Sequence, residues 1–180
     1  MTPVQLAFVG DAVYELHART LFVWPLTPVR AHRAAAVELV RAETQSLHLR
    51  RLLATLLATT RPADAADADA VAADGAADAA VAAAAFVPTA LERSLLRRGR
   101  NASGPGPSRL LDRSAYGEAS ALETLLGYLY LANDALRLQA LLDTLLGLAA
   151  DPPGDSDRSP VDWKALGADG DDDAESEFLV

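Results

Sequence analysis

Cysteine is absent from the chain, which excludes a disulfide scaffold, thiolate zinc sites and a cysteine nucleophile, and fits a reducing compartment. No charge-free apolar run approaches the ~18 residues of a membrane span. The first residues lack the basic start and long apolar stretch of a secretory signal. The expectation is a soluble cytoplasmic protein with no membrane partner. Also missing are a Gly-rich phosphate loop, a GxSxG elbow and an HExxH pair, so none of those chemistries has its usual motif. β-branched alternation is scarce, while apolar residues recur at helical spacing throughout. That pattern predicts an all-α helical bundle.

What the chain does contain is unevenly distributed. At 180 residues it fits one domain with length to spare for a tail. The 51% hydrophobic content is inflated by alanine, yet Leu, Val, Phe, Tyr and Trp suffice for a core. The net charge of −9 divides sharply: +2 over residues 1–57, −4 over 58–85, +1 over 86–150 and −8 over 151–180. The acidic excess thus lies in two segments of odd composition, and the remaining body is weakly basic. Whole-chain acidity does not exclude a polyanionic substrate.

The periodicity predicts helices over about 3–22, 28–40, 42–59, 88–98, 116–132 and 134–149, with Thr2 capping the first and Pro3 in its first turn. Residues 60–85 are almost wholly Ala, Asp and Val. Alanine favours helix there, but almost no large side chain is available to dock one, so a solvated, partly helical insertion is expected. "GRNASGPGPSRLLDRSA" reads as a Gly/Pro/Ser-rich loop. From Asp151 the chain turns to Pro, Gly and Asp, and residues 151–180 should be a disordered acidic tail. The domain itself spans 1–150.

Two acids stand out. In "LAFVGDAVYEL", Asp11 and Glu15 fall one helical turn apart among apolar residues. In "ASALETLLGYLYLA", Glu123 is the one charge in fourteen residues. An isolated ionised carboxylate on so apolar a helix would cost several kcal/mol and tend to protonate. Gly10 and Gly127 would allow the two helices to approach closely. Asp11 and Glu123 brought together make sense around a divalent cation, because magnesium is typically held by one or two carboxylates plus waters and phosphate oxygens. The alternative is that each acid pairs with an arginine or caps a helix. A second constellation is "RSLLRRGRNASG", in which Arg97, Arg98, Arg100 and Asn101 cluster at a helix end. Arginines there complement the helix dipole, and they equally suit phosphate and sugar contacts. His17, His32 and His48 show no ligand spacing. The two most apolar helices, the first and the fifth, are expected to bury a homodimer interface.

Taken together, "LAFVGDAVYELHART", "LRRGRNA" and "ALETLLGYLYL", in this order, resemble Mini-ribonuclease III. This is the short bacterial branch of the ribonuclease III family, a catalytic domain without a double-stranded-RNA-binding domain. The resemblance covers about residues 3–57 and 86–149. It implies a ribonuclease III-type, all-helical endonuclease domain that is dimeric, uses Mg2+ and cleaves double-stranded RNA. The implied substrate is the 23S rRNA precursor, and an accessory large-subunit ribosomal protein is left open. By position, Asp11 matches the family's catalytic aspartate and Glu123 its metal-binding glutamate. Arg97, Arg98, Arg100 and Asn101 match the basic RNA-binding motif. Two acids of full-length ribonuclease III are replaced by Ala7 and Ser120, as in the Mini branch, so Glu15 and Glu118 are candidates to assist the ion through water. The competing reading is a catalytically inactive ribonuclease III-like scaffold that binds RNA or the ribosome. The insertion and the tail fall outside the family pattern.

Overall fold

The computed structural model describes residues 1–23, 28–60, 86–102 and 112–149, together with Trp163. Residues 24–27, the Ala/Asp-rich insertion, most of the Gly/Pro/Ser-rich loop and the rest of the tail lie outside the described residues, and with them the expectations made for those segments. The described residues form six helices and no strand: α1 Pro3–Leu21, α2 Val29–Leu39, α3 Ala42–Thr60, α4 Ala90–Asn101, α5 Arg113–Leu131 and α6 Ala135–Ala149. The all-α expectation is met.

The helix starts follow capping chemistry. Thr2 accepts from the Gln5 backbone N–H at 3.3 Å, and the Gln5 side chain accepts from the Thr2 N–H at 2.9 Å. This reciprocal pair satisfies two orphan donors at the start of α1. Thr89 and Glu92 repeat the arrangement at the start of α4. Asp112 caps α5 through the Ser114 N–H at 3.1 Å, which starts that helix at Arg113, earlier than the apolar periodicity suggests. α4 in turn continues through Gly99 and Arg100 to Asn101, where a break into loop was expected near Arg98. Gly99 is a packing residue: a Cβ there would lie 2.4 Å from Thr124 Oγ1 and 2.9 Å from the Ala121 Cα.

α5 is the central helix. Its Leu122, Leu125, Leu126 and Leu129 are buried against Leu49, Leu52 and Leu53 of α3, Leu96 of α4, and Leu141 and Leu145 of α6. The apolar character of α5 is therefore absorbed inside one chain, except for Tyr130 and Leu131 at its end. α2 is peripheral, with Ala36 its one buried residue. The closest approach is between α1 and α5. A Cβ at Gly10 would sit 1.8 Å from the Glu123 carbonyl oxygen, and one at Gly127 would sit 2.0 Å from the Leu6 carbonyl oxygen. No side chain fits at either position, so the two backbones meet directly.

Two buried ion pairs tie the periphery to this core. Glu118 of α5 accepts from Arg50 Nε at 2.6 Å and Ser46 Oγ at 2.5 Å, both on α3. Glu92 of α4 accepts two bonds from the Arg137 guanidinium of α6, at 2.6 and 2.5 Å. Arg137 also stacks over Phe86, 4.6 Å from the ring centroid.

Candidate active site

The glycine contact that joins α1 to α5 also brings two of the expected acids together. Gly10 presses on the Glu123 backbone, so Asp11, the next residue, stands beside the Glu123 side chain. The electrostatics record the proximity. The Glu123 carboxyl is pushed up to about 8, first by burial and then by the neighbouring charge of Asp11, with a hydrogen bond from Gln45 pulling the other way. The Asp11 carboxyl is raised as well, by burial and by Glu15. Among the described residues no ion pair reaches either acid. A carboxyl raised this far holds its proton near neutral pH, so the pair carries about one negative charge there.

The donor set fits a hard divalent ion. It consists of carboxylate and amide oxygens, with no thiolate and no imidazole. No group of three or more His, Cys, Asp or Glu residues among the described ones could share a metal. Two carboxylates are nonetheless a set magnesium accepts when waters and phosphate oxygens complete its shell.

The other expected residues divide. Glu15 pairs with exposed Arg19 at 2.5 Å, while its charge still reaches Asp11. Glu118 is 1% exposed and bound to Ser46, Arg50 and, at 3.3 Å, Ser114 Oγ. Its oxygens are engaged in holding α3 to α5, which gives this acid a structural employment. Of the basic motif, Arg98 and Asn101 are exposed, and Arg97 and Arg100 are half-buried. Arg100 lies over the Trp163 ring, 4.8 Å from its centroid, so at least this one residue of the acidic tail touches the body. A cavity of about 460 Å³ opens between α1 and α2, lined by Leu16, Val29, Val37 and Arg19 among others. It shares Glu15 with the neighbourhood of Asp11 but contains neither Asp11 nor Glu123.

Sequence reasoning passed over Gln45. It is 1% exposed and faces Glu123. The signal was there: Gln45 is a polar residue in phase with Leu49, Leu52, Leu53 and Leu56, the buried stripe of α3.

Residues 4–134 match the ribonuclease III domain family. The chain belongs to that family. It is accordingly an endoribonuclease acting on double-stranded RNA, in a family that generally depends on divalent metal. It is 34% identical over 147 residues to the Mini-ribonuclease 3 of Thermosynechococcus vestitus, covering 82% of this chain and 75% of that protein. It is 37% identical over 145 residues to the Mini-ribonuclease 3 of a Synechococcus species, covering 81% and 80%. The fold is shared with a solved protein from Fusobacterium nucleatum, with a TM-score of 0.57 at 19% identity over 82% of this chain and 93% of that one. The match thus runs from the first turn of α1 through α5, the helices on which Asp11, Glu123 and the arginine motif stand.

Proposed function

We propose that this chain is a magnesium-dependent endonuclease that hydrolyses double-stranded RNA at a site formed by Asp11 and Glu123, and that its substrate is the 23S rRNA precursor. The observation that carries the reading is the uncompensated pair of acids, with Glu123 raised to about 8. A fold that needed these carboxylates for stability alone would have given them a cation, as it gives Arg50 to Glu118 and Arg137 to Glu92. The ion, when bound, supplies positive charge that polarises the scissile phosphate and activates a water. Asp11 and Glu123 would hold it, Glu123 in its ionised form. Arg97, Arg98, Arg100 and Asn101 at the end of α4 contact phosphates and sugars. Duplex RNA is then read by shape and through its 2′-hydroxyls, since the A-form major groove is too narrow for side chains.

Cleavage of both strands calls for two such sites, and the exposed face of α1 supports a homodimer. Phe8 is 83% exposed and Leu16 65%, two turns apart on that face. α5 is already interior, so the dimer surface rests on α1 and the groove beside α2 rather than on α1 and α5 together. Phe8→Asp is expected to give a folded monomer in sedimentation at micromolar concentration; an unchanged dimer removes α1 from the interface.

The decisive assay is cleavage of a duplex RNA carrying the 23S precursor stem, with Mg2+ and with chelator. Mg2+-dependent cleavage that Glu123→Gln abolishes supports the nuclease. RNA binding without cleavage would favour the scaffold reading, against which the retention of both acids speaks.

A further inference from the structure

We infer that Trp163 is an autoinhibitory latch on the basic motif: its indole holds the Arg100 guanidinium, and a bound duplex must release it. The inference rests on the reading of Arg100 as an RNA contact.

Arg100 stands in the last turn of α4, with its backbone and stem against α5. A Cβ at Gly117 would lie 3.3 Å from the Arg100 carbonyl oxygen and 3.5 Å from its Cγ, so the glycine lets the two helices close here. The guanidinium continues to the Trp163 ring, 4.8 Å from its centroid. That is inside the ~6 Å at which a cation and an aromatic face attract. The indole itself is half-buried and packs against the core cluster.

The chain has a second stack of this kind, and the two differ in what else the arginine does. Arg137 lies over Phe86 at 4.6 Å, but it also makes two bonds to Glu92 and one to the Val87 carbonyl. Its ring contact is one part of a closed structural unit. Arg100 has no ion pair among the described residues. Its charge is covered by a ring and by nothing of opposite sign.

Trp163 is loosely held. Its Nε1 is buried with no hydrogen-bond partner, so docking strips the indole N–H of water without replacing it. The contact therefore rests on stacking and apolar packing, both weaker than the charge-assisted bonds a phosphate makes to arginine. Such a latch closes in the absence of RNA and yields in its presence.

What the latch delivers is negative charge. Residues 151–180 carry −8, and Asp162 directly precedes the indole. Seating Trp163 on Arg100 tethers acids beside a motif that meets phosphates, at high effective concentration. The coupling is reciprocal: to the extent that RNA opens the latch, the latch weakens RNA binding. A two- to threefold gain on removing it corresponds to Arg100 being free in about a third to a half of the molecules without RNA.

The test uses the full-length chain, a duplex RNA and a chelator to keep the RNA uncut. Trp163→Ala should bind the duplex about two- to threefold more tightly than the parent at low salt, and the gain should shrink as salt screens the tail. In an Arg100→Ala chain, where the contact is already lost, Trp163→Ala should give no such gain. A second measurement leaves Trp163 in place. The chain has two tryptophans, so Trp24→Phe makes Trp163 the sole reporter. Its emission should shift to the red as duplex is added, with the same midpoint as binding. Equal affinities of Trp163→Ala and parent at every salt, weaker binding by the variant, or emission unchanged by saturating duplex overturns the inference. If Trp163→Ala does not fold, the emission decides alone. The underlying reading is checked separately. In a Trp163→Ala chain, with no latch left, Arg100→Ala must weaken binding. If it does not, Arg100 is no RNA contact, and the failure belongs to that reading.

Discussion

The acids of this chain stand in two kinds of place, and the contrast between them is instructive. Glu92 and Glu118 are 3% and 1% exposed, yet each is met by an arginine and by hydroxyl or backbone donors. The Glu92 carboxyl is held below the usual glutamate range by these partners, chiefly Arg137, against the opposing effect of burial. Asp11 is exposed and Glu123 half-buried; the charge of Asp11 reaches Glu123, and neither acid has an ion-pair partner among the described residues. The first pair of sites stabilises the fold, and the second burdens it. Like charge retained at the contact between two closely packed helices is what the proposed cation site would relieve.

The largest expected effect separates the two kinds of acid by activity. Asp11→Asn and Glu123→Gln each remove a ligand charge while keeping shape, so duplex cleavage should fall by ~10³-fold or more. The melting temperature without Mg2+ should hold or rise at pH 8, because acid repulsion is relieved. Near-parent activity in Glu123→Gln would break the comparison. The converse holds at the paired acids. Arg137→Ala strands the buried Glu92 and should destabilise the fold by about 3 kcal/mol, seen as a lowered urea midpoint. Mg2+ affinity should be untouched, since Arg137 and Glu92 lie on α6 and α4, away from the acid pair.

The same comparison has a pH signature. Glu123 in the folded protein binds its proton up to about 8, far above its ordinary value, whereas the unfolded chain has released it by then. Folded protein thus holds more protons than unfolded across that window, and stability without Mg2+ must fall as pH rises through it, levelling above about 8. His48 acts in the opposite direction at lower pH: burial and Arg51 push its imidazole down to about 4, so the folded state gains stability as pH rises toward 6.5. Thermal melts between pH 6.5 and 8.5 isolate the Glu123 slope. Glu123→Gln should flatten it, and so should saturating Mg2+. A slope of equal size in Glu123→Gln would assign it to another group.

The smallest effect concerns Arg100. Its guanidinium must leave the Trp163 ring before it can reach a phosphate. Trp163→Ala should therefore tighten duplex binding by about two- to threefold, most at low salt where screening is weakest. Equal affinities across a salt series would show that the stacked arginine is not part of the RNA surface.

Much of this was legible in the residues. Periodicity and capping signals located all six helices, and the solitary acid of "ASALETLLGYLYLA" singled out Glu123, whose carboxyl the structure raises by burial. The extent of α4 was less legible, because Gly99 reads as a breaker until the Thr124 side chain beneath it is known. Glu118 looked like a candidate for the metal because its partners, Ser46 and Arg50, lie about seventy residues away in sequence. Gln45 was overlooked for the same reason, its significance depending on a contact across α3 and α5.

The sequence by itself determined the helices, the weakly basic body between acidic segments, and the presence of acids too costly to be incidental. Those properties are local: they follow from composition and from spacing within a turn or two. Only the tertiary structure decided which acids are met by an arginine and which are not. Charge compensation is a matter of distance in space. The close packing at Gly10 and Gly127, which leaves no room for a side chain, brings Asp11 to Glu123, while Arg50 and Arg137 go to Glu118 and Glu92.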